Sequence, residues 1–238
     1  MKILATLPTF NESENILPLI DELLGVSRNL EVLVIDDNSP DGTWKLVGER
    51  AETDPRVHLL HRVNERGRGS AGVAGFCKAL ELGADLIVEM DADWSHHPRF
   101  LRQMLRATRR ADVVIGSRLV SGGGETGRNP VRTLITQGAN LYIRLLLGLP
   151  VRDCTSGYRV YRRWVLEAIQ WEKVQSNGPA IVQEILVAAH AAGARIAEVP
   201  ILFEERRAGQ STLNSKILLA GLAAQWRLLA TQPPVRAL

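Results

Sequence analysis

Cysteine is scarce in this chain: its 238 residues hold two, Cys77 and Cys154, at no metal-ligand spacing. Neither a disulfide framework nor a zinc site is expected, and Cys77, within GFCKAL, reads as a core residue. Long apolar runs are missing too. At the C-terminus Lys216 and Arg227 bound only 10 uncharged residues, short of the roughly 20 a bilayer span needs. The apolar start after Lys2 is broken at Thr6 and Pro8, so no signal peptide is read there. Strong charge of one sign is likewise lacking. A net charge of +3 suits an anionic substrate or membrane surface and argues against nucleic acid as a partner.

What is present suits a compact intracellular enzyme. Apolar residues make up 45% of the chain, enough for one large domain with a sizeable core. Strand patterns fall near residues 2–8, 31–36, 56–60, 85–91, 112–117 and 195–203. Helical patterns fall near 14–25, 41–53, 70–82, 97–110, 129–147, 162–169, 178–192 and 213–230. This alternation predicts an α/β fold: a mostly parallel sheet, right-handed crossovers and helices on both faces, in a single domain spanning 1–238. The piece 121–130, SGGGETGRNP, reads as a mobile loop over the site.

The chemistry concentrates at strand ends. LIVEMDADWSH, 86–96, closes an apolar run with Asp91 and Asp93 at the carboxyl edge, where open α/β sheets bind ligands. Side chains at i and i+2 of extended chain share a side, so both carboxylates can approach one Mg²⁺ or Mn²⁺ and a nucleotide phosphate. EVLVIDDNSPD, 31–41, delivers Asp36 and Asp37 in the same way, and KILATLPTFNE, 2–12, delivers Thr9, Asn11 and Glu12. Turn formation or helix capping explains any one of these acids singly. Their coincidence at three strand ends favours a site.

Gly67, Gly69 and Gly72 spell G-x-G-x-x-G, the dinucleotide fingerprint. Six residues, 61–66, separate them from the preceding strand, whereas that fingerprint needs a tight strand-to-helix turn. A flexible basic loop near a phosphate is the better reading. His96 and His97 read as a turn opening a helix, and Trp44 and Trp94 as packing residues. Tyr158 and Tyr161 stay open between core and site. Glu184, in the apolar AIVQEILVAA, is expected to face the site, because an unpaired buried carboxylate is costly.

The segments PTFNE (8–12), VIDDNSPDGT (34–43), EMDADWSHHP (89–98), GSR (116–118), DCTSGYR (153–159) and FEERRAGQST (203–212) together resemble the ordered motifs of family 2 glycosyltransferases. The closest resemblance is to the polyprenyl-phosphate, or dolichyl-phosphate, mannose synthases, and it covers nearly the whole chain. It implies a GT-A fold, a nucleotide-sugar donor, a polyprenyl phosphate acceptor and inverting transfer. Carried over, it implies that Pro8, Phe10, Glu12 and Asp37 line the nucleoside pocket and that Asp91 and Asp93 bind metal and diphosphate. Arg118, Arg132 and Thr136 resemble the acceptor-phosphate pocket, Arg206 the arginine that meets the diphosphate, and Asp153 a residue beside the transferred sugar.

Two departures from the family pattern stand out. Ser95 occupies the place where many relatives carry a metal-binding Gln, so water would serve there. Thr212 stands where many carry Lys after the RxxGxS motif, and Lys216, one helical turn on, is the candidate substitute. The expected donor is GDP-mannose, with a UDP-sugar donor or a non-catalytic membrane-associated subunit as alternatives. An amphipathic C-terminal helix and tail, 213–238, with Trp226 between Lys216 and Arg227, and the stretch 133–149 are both candidates for touching lipid. The expectation is a peripheral protein on the cytoplasmic face of a membrane, with a separate membrane subunit as a further candidate partner.

Overall fold

The computed structural model describes residues 1–127, 129–176 and 178–204. The expected helix and tail at 213–238 lie outside the described residues, as do Arg206, Thr212 and Lys216.

Seven strands form the main sheet: β1 (Ile3–Thr9), β2 (Leu30–Asp36), β3 (Val57–His61), β4 (Leu86–Glu89), β5 (Val113–Ser117), β7 (Arg159–Arg162) and β8 (Ile196–Pro200), in the order β3-β2-β1-β4-β7-β5-β8. β1 pairs in parallel with β2 on one side and β4 on the other, with Thr9 opposite Asp36 and Thr6 opposite Glu89. That register brings the polar ends of three apolar strands to one edge.

Strand alternation sorts side chains onto the two faces. Leu4, Leu33, Ile35 and Ile87 join one core with helices α3 (Arg68–Glu81) and α7 (Ile181–Ala191). Ala5, Leu7, Val32, Val34 and Val88 join the other with α1 (Ile16–Leu24), α2 (Thr43–Thr53) and α4 (Leu101–Ala107). Helix α3 and the sheet approach closely at Gly75. A Cβ there would stand 2.8 Å from Cδ1 of Ile35, so only hydrogen lets α3 lie flat on β2.

Several expected elements come out differently. The segment expected as the loop 121–130 contains β6 (Gly124–Thr126), which pairs in parallel with β9 (Leu202–Glu204) in a second, two-stranded sheet. The strand expected at 195–203 is accordingly split, with β8 in the main sheet and β9 in the small one. β7 was not expected at all. It runs antiparallel between β4 and β5 and leads into the short helix α6 (Arg163–Glu167). The helix expected at 97–110 begins as a 3₁₀ turn, Pro98–Phe100, before α4. Helix α5 (Pro130–Leu147) follows Asn129, whose side chain accepts the N–H of Val131. Cys77 is only half-buried, and Cys154 is the cysteine inside the core.

Candidate active site

The first wall consists of two interlocked loops. Asp36 is fully buried and accepts hydrogen bonds from the hydroxyls of Thr9 (2.8 Å) and Ser39 (2.6 Å) and from the Ser39 N–H (2.8 Å). Beyond β1, the N–H groups of Asn11, Glu12 and Ser13 donate to Ser39, Thr43 and Asp41, each at 3.0 Å. The 8–12 segment is thereby fastened to 36–43. Asn11 and Asn38 take left-handed backbone, with φ of 59° and 54°, which asparagine tolerates better than most residues.

Asp37 holds the basic glycine loop. Its carboxylate accepts the Gly67 N–H at 2.7 Å and lies 3.2 Å from Arg62 Nε. Burial raises its pKa above the ordinary carboxylate value, opposed by the Gly67 hydrogen bond and the Arg62 charge. Arg66 of the same loop covers the half-exposed Phe10 ring at 3.9 Å from its centre, a cation–π contact. Gly67 and Gly69 prove to open helix α3, immediately before and within its first turn.

The second wall follows β4. Asp91 is partly exposed, and Asp93 lies beneath it, buried, accepting the Ser95 hydroxyl at 2.6 Å and the Ser95 N–H at 3.1 Å. Trp94, directly after Asp93, adopts a left-handed φ of 67°, a costly conformation for so bulky a residue, on the order of 1–3 kcal/mol. His96 is buried and stacked on Tyr158 with ring centres 5.2 Å apart. Its Nδ1 accepts the Asp91 N–H at 3.0 Å, which leaves Nε2 to carry the proton. Burial holds its basicity below the ordinary histidine value, against the pull of Asp91 and Asp93. His97 caps the 3₁₀ turn through Arg99 N–H and pairs with Glu22 at 3.2 Å. The pair of histidines thus does make the expected turn, but His96 also fixes the Asp91 backbone.

Beneath Asp91 runs a chain of buried charge that the strand-end reading missed. Arg68 pairs with Asp91 at 2.7 Å and approaches Glu89 to 3.6 Å. Tyr161 donates to Glu89 at 3.1 Å, and Arg159 reaches the Tyr161 hydroxyl at 3.5 Å. Arg159 is wholly buried and donates to the carbonyls of Ser156, Cys154 and Val182. The ambiguous Tyr158 and Tyr161 are therefore both interior, and Tyr161 is a link in this chain. The signal in the sequence was Glu89 inside an otherwise apolar strand.

The third wall joins β5 to the 153–159 segment. Arg118 donates to Asp153 through Nε (2.8 Å) and Nη2 (2.7 Å), to Thr155 (2.6 Å) and to Glu125 (3.3 Å). Burial would raise the pKa of Asp153, but the Arg118 hydrogen bonds and charge overcome it and hold the carboxyl below the ordinary value. Asn140 of α5 ties in the helix, donating to the Thr136 carbonyl (2.9 Å) and the Thr155 hydroxyl (3.0 Å) and accepting the Cys154 N–H (2.7 Å). Arg132 is exposed one turn earlier on α5, its carbonyl accepting the Thr136 hydroxyl at 3.0 Å. A cavity of about 320 Å³ opens beside Arg118, with Arg144 and Arg152 also on its wall. Glu184, expected to face the site, instead spends its carboxylate on the N–H groups of Gln175 (3.0 Å) and Ser176 (2.9 Å), holding the turn before α7.

Among the described residues no group of three or more His, Cys, Asp or Glu side chains is arranged to hold a metal. An Asp pair at a strand end, one member reaching solvent, fits a hard cation that takes its remaining ligands from a diphosphate and water. Taken together, a mostly parallel sheet with its acids on the carboxyl edge, a basic glycine loop and an arginine-lined cavity make an α/β fold whose sheet edge carries the charge a phosphorylated ligand would need.

Comparison narrows that class. Residues 5–170 match the family described as Glycosyl transferase family 2, and the chain belongs to it; it is a glycosyltransferase. Over 234 residues it is 42% identical to the undecaprenyl-phosphate mannosyltransferase of Micrococcus luteus, covering 95% of this chain and 96% of that one. It is also 42% identical to the polyprenol monophosphomannose synthase of Mycolicibacterium smegmatis, covering 94% of this chain and 86% of the other. The fold resembles glucosyl-3-phosphoglycerate synthase of Mycobacterium tuberculosis in complex with UDP, with a TM-score of 0.67 at 19% identity over 98% of this chain and 82% of that one. The GT-A architecture expected from the motifs is the one observed.

Proposed function

We propose that this glycosyltransferase moves mannose from GDP-mannose to a polyprenyl monophosphate, with inversion at the sugar, aided by a Mg²⁺ or Mn²⁺ ion at Asp91 and Asp93. One observation carries the reading: two relatives, each 42% identical over nearly the full chain, are both named for joining mannose to a polyprenyl phosphate.

The chemistry follows from the acceptor. A phosphate monoester is already ionised near neutral pH, so its oxygen attacks the sugar's anomeric carbon without a base removing a proton. The bond from that carbon to the donor's diphosphate breaks, and the nucleoside diphosphate leaves with the electron pair. A bound divalent cation would supply Lewis-acid neutralisation of the leaving diphosphate. Pro8, Phe10, Glu12 and Asp37 would form the nucleoside pocket, Asp37 accepting base N–H groups. Arg118, Arg132 and Thr136 would receive the acceptor phosphate, since planar guanidinium forks match its oxygens. Asp153, beside the sugar, would also orient Arg118. Arg206 would meet the charge that develops on the diphosphate, and Arg206→Ala should lower turnover more than donor affinity.

The test is nucleoside-diphosphate release with a prenyl phosphate acceptor, run in parallel with GDP-mannose, UDP-glucose and UDP-N-acetylglucosamine. Release from GDP-mannose alone, dependent on the prenyl phosphate, is the expected result. Preference for a UDP-sugar would replace the donor, and release indifferent to the prenyl phosphate would remove the acceptor.

A further inference from the structure

Arg68 stands between two carboxylates and is committed to one. Its Nη2 lies 2.7 Å from Asp91 Oδ1, a hydrogen-bonded ion pair. Its Nη1 lies 3.6 Å from Glu89 Oε1, close enough to attract but too far for a hydrogen bond. Glu89 is 2% exposed, so its charge depends on that cation, on the nearby buried Arg159 guanidinium and on the hydroxyl of Tyr161.

We propose that Arg68 is a positioning residue with two seats: it holds Asp91 while the site has no divalent cation, and moves onto Glu89 when the cation takes Asp91. This rests on the reading of Asp91 as a metal ligand. A guanidinium fixed on Asp91 would both occupy the ligand oxygen and repel a divalent ion. Displacing it into a buried site without another anion would be costly, and Glu89 removes that cost. The local backbone leaves room for the guanidinium in its seat on Asp91. Arg68 is the first residue of α3, just after Gly67, whose φ is 134°. Gly157 faces it with no side chain, and a Cβ there would come 2.9 Å from Nη2. The consequence is a site whose metal affinity is held down until the donor's diphosphate adds its own ligands, so cation and donor are retained together.

The test is Mn²⁺ binding to the full chain without nucleotide, read from the loss of the free-ion EPR signal, with melting temperature recorded for every variant. Arg68→Met should bind Mn²⁺ roughly tenfold more tightly, because a competing charge is gone. Glu89→Gln should bind it several-fold more weakly, because Arg68 has lost its second seat. In the Arg68→Met background, Glu89→Gln should have no further effect, the coupling that a double-mutant cycle isolates. An equal loss from Glu89→Gln in both backgrounds would mean that Glu89 acts only through space, and would overturn the handover. Should Arg68→Met not fold, Gly157→Ala crowds Arg68 off Asp91 without altering a charge; tighter Mn²⁺ binding supports the proposal and unchanged binding overturns it. If the wild-type chain binds Mn²⁺ no better than Asp91→Asn does, the metal reading itself falls and takes the handover with it. If only the Arg68 variants fail to respond, the metal reading stands without it.

Discussion

Arg118 and Asp153 meet in a two-point ion pair, at 2.8 and 2.7 Å, with the aspartate side chain wholly buried and the arginine nearly so. The pair closes the β5 end onto the 153–159 segment, so two residues assigned by resemblance to different substrates share one hydrogen-bonded unit. Asp153→Ala should cost about 3 kcal/mol in urea unfolding, because it breaks the buried two-point pair and leaves Arg118 with only the longer carboxylate contact, to Glu125 at 3.3 Å. The sign of the pH effect follows from the lowered pKa of Asp153. Its contribution is complete above the ordinary carboxylate value of 3.8 and is lost as pH falls toward the lower folded value. Asp153→Asn should therefore flatten the acid limb of the stability curve; an unchanged limb would count against the pair as its source.

Metal removal is a separate question from folding. EDTA should abolish sugar transfer, and Mn²⁺ or Mg²⁺ should restore it. Asp91→Asn, which keeps the shape of the side chain and removes its charge, should lower kcat/KM by roughly a hundredfold with little change in melting temperature. Full activity in that variant would sink the assignment of Asp91.

Gly75→Ala tests the approach of α3 to the sheet. The added methyl meets Ile35 Cδ1 at 2.8 Å and Cγ1 at 3.2 Å, with Thr6 Cβ at 3.6 Å behind them. Overpacking of this kind should cost about 1–3 kcal/mol, read from the urea midpoint. The neighbouring Gly72 should accept Ala with far less loss, since its Cβ would stand 3.9 Å from Ile181.

The lipid surface is tested by flotation. Among the described residues no helix is long and apolar enough to cross a membrane. On α5, Val131, Leu134, Ile135, Leu141 and Leu145 are all exposed, at spacings that recur along one side of a helix. Liposome binding should rise with anionic lipid and fall when residues 213–238 are removed without unfolding the rest. A chain that stays off vesicles of every composition, with no partner to recruit it, would make a soluble sugar acceptor the better reading.

The sequence by itself determined that the sheet is mostly parallel and on which edge the acids gather. Alternation along a buried strand fixes which residues face which core, and a strand that turns polar at its end must deliver those groups to the edge. Asp36, Asp37, Asp91 and Asp93 were therefore legible one segment at a time. Only the tertiary structure decided their partners. Arg68 reaches Asp91 across 23 residues and Arg118 reaches Asp153 across 35, and no local pattern specifies which of many arginines closes such a contact. The antiparallel β7 and the pairing of β6 with β9 escaped for the same reason. Strands of three or four residues carry too little periodicity to declare themselves, and they exist because neighbours distant in sequence offer them an edge to pair with.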